Sequence, residues 1–66
     1  MKVYDYVVVN METEYIHGII MDVIRRKTGK MEYLVKHRDK YGKIEFIYAP
    51  EDKIRSLEQR SLKSYM

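Results

Sequence analysis

The chain has 66 residues, no cysteine, and 13 Lys and Arg against 10 Asp and Glu, for a formal charge of +3. That length holds one domain, near the lower end of what a hydrophobic core supports unaided. Without thiols, disulfides and thiolate metal sites are excluded, which leaves sheet closure and oligomerisation as stabilising devices.

Four hydrophobic runs follow one another. Val3–Val9 alternates Tyr4, Tyr6 and Val8 with Asp5, Val7 and Val9. Both sets are largely apolar, as expected of a strand covered on two sides. After the polar Asn10–Glu14 connection, Tyr15–Arg25 places Ile16, Gly18, Ile20 and Ile24 on one face and His17, Ile19, Met21 and Val23 on the other. Asp22 falls in the first set, where a charge marks a bulge that flips the faces. Gly18 suits a sharply coiled strand or the close approach of another backbone.

Arg25–Lys30 closes a hairpin around Thr28-Gly29, and Met31–Arg38 follows as the third run. There Met31, Tyr33, Val35 and His37 share one face, with Glu32, Leu34, Lys36 and Arg38 opposite. A second hairpin, Asp39–Gly42, leads into Ile44–Ala49, where Ile44, Phe46 and Tyr48 alternate with Glu45 and Ile47. Four such runs within residues 3–49, joined by glycine turns, leave no room for a crossover helix and predict an antiparallel meander or small barrel. Tyr33, Phe46 and Tyr48 lie on the more apolar face of their strands and are expected in the core, with Tyr41 exposed in its turn.

Beyond Ala49-Pro50 two readings compete. Pro50 at a first helical position, acidic Glu51 and Asp52 in the first turn, and the spacing of Ile54, Leu57, Leu62 and Tyr65 suit a helix. The alternative is a single 3₁₀ turn over Pro50–Lys53 and a short fifth strand, Ile54–Leu57, that closes a barrel. The whole-chain pattern favours this second reading.

Charge is uneven along the chain. Residues 1–22 carry Lys2 against Asp5, Glu12, Glu14 and Asp22, a net of −3. Residues 25–43 carry Arg25, Arg26, Lys27, Lys30, Lys36, Arg38, Lys40 and Lys43 against Glu32 and Asp39, a net of +6. Clustering of this kind is the electrostatic footprint of a polyanion binder. The eight cations, with Tyr41 as a stacking group between Lys40 and Lys43, are therefore the expected nucleic-acid contacts. Basic turns also serve solubility, and a protein-interaction or assembly module, such as a homo-oligomer burying an edge strand, is the competing expectation.

Catalysis finds no footing in the sequence. His17 and His37 are the two histidines, each without a carboxylate at dyad or metal-ligand spacing, and both are expected as half-buried strand residues. No phosphate loop or serine elbow is present, so neither enzyme chemistry, cofactor nor metal is expected. Met1–Asp5 lacks a signal-peptide stretch, and charges interrupt each apolar run well short of a membrane span. A cytoplasmic protein with no membrane partner is the expectation.

The pattern resembles the SH3-like barrel families, the KOW, Tudor and chromo-type modules. The pieces that carry the likeness are Asp5–Val9, His17–Ile24 and Tyr33–Val35, then a glycine turn, an aromatic strand, and Pro50–Ile54 where such barrels place a 3₁₀ turn. Gly18-x-Ile20-x-x-Val23 looks like a KOW strand, and small phage- and plasmid-encoded proteins look similar. The resemblance implies an all-β, SH3-like domain over residues 1–57, followed by a helical segment or tail over 58–66. The alternative is an α+β fold, a four-stranded meander covered by a C-terminal helix.

Overall fold

The structure, a computed structural model, describes residues 1–57. The segment 58–66, expected as a helix or tail, lies outside the described residues. Among the described residues, five strands form one antiparallel sheet: β1 (Tyr6–Asn10), β2 (Tyr15–Arg25), β3 (Met31–Arg38), β4 (Ile44–Pro50) and β5 (Ile54–Ser56). The fold is all-β. Their order across the sheet is β4-β3-β2-β1-β5, and a 3₁₀ turn over Glu51–Lys53 carries the chain from one edge to the other.

This last step decides between the two readings of the segment after Pro50. Ile54 pairs with Val9 and Arg55 with Val8, so the residues that could have opened a helix form an edge strand instead. Main-chain pairing with β1 and burial of Ile54 outweigh the local helix signals. The Leu57 N–H continues the contact with a 2.9 Å bond to the Tyr6 carbonyl. The expected closure does not follow, however. Strands β4 and β5 are the two ends of the sheet order and are not paired, so the barrel is open.

The core is small and aliphatic. Val7, Val9, Ile20 and Val35 are fully buried, joined by Tyr33, Ala49 and Ile54. Ile16, Val23, Met31 and Ile47 pack against them from the margins. Each fully buried aliphatic contributes about 1.5–3 kcal/mol relative to exposure. Strand β1 is buried on one face only, with Tyr6 exposed and Val8 half-buried, rather than covered on two sides.

That strand also starts later than the apolar run does. Tyr4 holds a left-handed φ of 76°. It sits in a turn where the Lys2 N–H donates to Asp5 Oδ2 and the Asp5 N–H to the Lys2 carbonyl. The bend is tied to β2 by Tyr4 N–H to Ile20 O at 2.7 Å and Ile20 N–H to Asp5 O at 3.0 Å. A non-glycine residue in that region costs on the order of 1–2 kcal/mol, which these bonds offset.

Two signals in β2 act as expected. The β2–β3 register shifts between Ile20 and Asp22, so the charge marks a bulge. Beyond it the faces exchange: Val23 pairs with Tyr33 on the core side, and Ile24 turns outward with Glu32. At Gly18 a Cβ would stand 2.5 Å from the Lys36 carbonyl oxygen and 2.6 Å from Val35 Cγ1. Only glycine lets β2 and β3 approach this closely.

The face assignment in β4 is reversed. The register pairs Tyr33 with Ala49 and Val35 with Ile47, which puts Ala49 and Ile47 inside and Phe46 and Tyr48 outside. Of the three aromatic residues expected in the core, Tyr33 alone is there. Bulky Tyr33 faces small Ala49, a pairing that fills the layer without overpacking it.

Candidate functional site

The outer face of the sheet, turned away from the core, is where unused chemistry collects. Following the registers from β4 across to β1, Phe46 stands opposite Lys36, Lys36 opposite Ile19, and Ile19 opposite Tyr6. These four residues form one row over four strands, about 14 Å long at the usual strand spacing. Flanking pairs are Tyr48 with Leu34 and Ile44 with Arg38. Phe46 is 57% exposed, Tyr48 62% and Tyr6 56%, while Lys36 and Ile19 are half-buried.

A groove of about 360 Å³ lies over the β1–β3 part of this row. Ile19 lines it together with Lys36 and Arg38 of β3 and with Tyr6 and Leu57. His17, on the same outer face, also lines it. This histidine is exposed rather than half-buried. His37 faces the other way and is half-buried as expected; its Nε2 lies 3.7 Å from Glu45 Oε1, a carboxylate that cross-strand pairing supplies. Among the described residues, no cluster of His, Cys, Asp and Glu could hold a metal ion.

The nine expected contact residues do not form one patch. Arg25, Arg26, Lys27 and Lys30 lie at the β2–β3 turn, and Arg38, Lys40, Tyr41 and Lys43 at the β3–β4 turn. The eight-residue strand β3 separates the two ends by roughly 23 Å. At the first turn Arg26 is engaged by Glu32, with its Nε donating to Glu32 Oε1 at 2.8 Å. At the second, Asp39 Oδ1 accepts from the N–H groups of Tyr41 and Lys43, both at 2.9 Å. Arg38 Nη1 donates to the Gly42 carbonyl at 2.9 Å, and the Lys40 ammonium lies 5.2 Å from the centre of the Tyr41 ring. Tyr41 is 82% exposed, as expected of its turn.

Lys36 and Arg38 share the outer face with Phe46 and Tyr48, two rings that strand alternation predicts in the core. Phe46, Tyr48 and Tyr6 are the site residues that sequence reasoning missed. One signal could have found the first two. Once Tyr33 and Val35 are inside, a hairpin that pairs Arg38 with Ile44 forces the even-numbered residues of β4 outward. Arg55, opposite Val8 on β5, is a further outward cation beyond the basic stretch.

No helix among the described residues is long and apolar enough to cross a membrane. No protein-family model, curated protein or solved structure matches the chain.

Proposed function

We propose that the chain is a small SH3-like binding module that holds nucleic acid on the outer face of β1 to β4. The strand order, with β5 reached through a single 3₁₀ turn, supports the SH3-like part of this reading. The observation that carries the function is the sharing of one face by Lys36, Arg38 and the exposed rings of Phe46, Tyr48 and Tyr6. Cations amid solvent-facing aromatic residues suit a ligand that is both anionic and aromatic, which is the chemistry of a polynucleotide. Lys40 and Lys43 extend the positive charge at the near turn. The Arg25–Lys30 turn adds attraction from a distance at which salt screens it.

Retention on immobilised DNA and RNA across a salt series tests this. Affinity should fall with a slope of about −0.7 to −0.9 per phosphate contact. Reversing charge at Lys36 and Arg38 should weaken binding more than reversing it at Lys27 and Lys30. No retention of the wild-type chain at low salt would sink the reading.

A second reading draws on a different feature. Strand β4 pairs with β3 along one edge and, among the described residues, has no partner on the other. Such an edge, seven residues long with Ile44, Phe46 and Tyr48 exposed, suits pairing with a second copy of the chain. A concentration-independent monomer mass in solution would remove this alternative.

A further inference from the structure

We propose that the nucleic acid on this face is single-stranded, with bases stacked on Phe46 and Tyr48 and the linking phosphates held by Lys36 and Arg38. This rests on the nucleic-acid reading above and specifies its substrate.

The geometry distinguishes the two forms of the ligand. Phe46 and Tyr48 are alternate residues of one strand, on the same face and about 7 Å apart along it. Both are more than half exposed. Stacking on a protein ring requires a base whose own face is free, and in a duplex the neighbouring base pairs cover those faces. A duplex offers this surface its phosphates alone and leaves the rings without a partner. The cations share the face with the rings: Lys36 stands opposite Phe46, and Arg38 stands opposite Ile44 two pairs further on. Backbone and bases of a single strand would thus meet different side chains in adjacent strands.

The groove supplies a third position. It is lined by Lys36, Ile19 and Tyr6, and its volume of about 360 Å³ has room for one unpaired base. From Phe46 to Tyr6 the row is about 14 Å, so a strand crossing the sheet passes from the rings of β4 over Lys36 into this groove.

The β2–β3 hairpin is the feature that speaks for duplex, because a two-stranded ribbon can enter a major groove. Its Arg26, however, is held by Glu32 across the hairpin rather than projecting from the tip. The outer face is therefore the better-equipped surface.

Fluorescence anisotropy with the full chain tests the proposal. The probe is a labelled mixed-sequence oligonucleotide of about 12 nucleotides, as DNA and as RNA, free or annealed to its complement. The single strand should bind more tightly than the duplex. Phe46→Ala and Tyr48→Ala should each lower single-strand affinity about 5- to 150-fold, the range for one lost stacked base, and leave duplex affinity unchanged. Phe46→Tyr should retain binding. Circular dichroism of the same samples confirms that each variant is folded. Equal or tighter binding of duplex, with both alanine variants unaffected, overturns the single-strand assignment while leaving the nucleic-acid reading standing. Loss of binding in Phe46→Tyr equal to that in Phe46→Ala also overturns stacking. Binding of neither form brings down both.

Discussion

Phe46 and Lys36 stand directly opposite one another on β4 and β3, on the solvent side of the sheet. Cross-strand partners on one face lie about 5 Å apart, so the two side chains leave the sheet side by side. The same hairpin register sends Ala49 and Ile47 into the core. Exposure of the chain's single phenylalanine is thus tied to the packing of its smallest core residue.

Phe46→Ala should change unfolding free energy by less than about 1 kcal/mol, as for other exposed positions. Ile20→Ala, at a fully buried site, should cost about 2–5 kcal/mol. Urea denaturation of the two variants checks the contrast. Equal losses would return Phe46 to the core.

Gly18→Ala should destabilise by at least about 1–3 kcal/mol, because a Cβ there overlaps the Lys36 carbonyl and Val35. The obstacle at 2.5 Å is backbone, which cannot swing aside as a flexible side chain would. Thermal unfolding reads the loss. A neutral substitution would mean that β2 and β3 do not approach as described.

Tyr33 gives stability an alkaline limit. Burial, and secondarily the Glu51 carboxylate, raise its phenol above the ordinary value of 10.0. The neutral phenol is therefore favoured by the fold. This contribution is fully present below pH 10 and lost as pH rises through the folded-state value. A melting series from pH 8 to pH 11 should show stability falling at the top of the range, and Tyr33→Phe should flatten part of that fall. An identical pH profile in Tyr33→Phe would assign the fall to other groups.

Asp39 organises the turn that carries Lys40, Tyr41 and Lys43. Its Oδ1 accepts two backbone N–H bonds, so Asp39→Ala should cost on the order of 1–2 kcal/mol. Asp39→Asn keeps an amide oxygen in the same place and should recover most of the loss. Amide hydrogen exchange at Tyr41 and Lys43 provides the direct measurement. Unchanged protection in Asp39→Ala would dissociate the turn from this side chain.

Much of the architecture is written locally. Alternation along Met31–Arg38 marks Tyr33 and Val35 as one face, and β3 buries that face. Asp22 breaks the apolar register of β2 where the ladder shifts, and Gly18 sits where two strands approach. Gly29 and Gly42 adopt positive φ of 89° and 82° in the two hairpin turns. Each of these depends on side-chain size, charge or backbone freedom at the residue itself, so the sequence alone determines it.

Tertiary structure decided the rest. Alternation records which residues share a face, but not which face is covered. In β4 that choice belonged to the hairpin register, which aligned Ala49 with Tyr33 and turned Phe46 and Tyr48 to solvent despite their greater hydrophobic area. After Pro50, helix signals in the chain yielded to pairing of Ile54 with Val9, a partner 45 positions away. The candidate site follows the same logic. Its cations are legible as a basic stretch, whereas the row of Phe46, Lys36, Ile19 and Tyr6 exists only once four strands lie side by side.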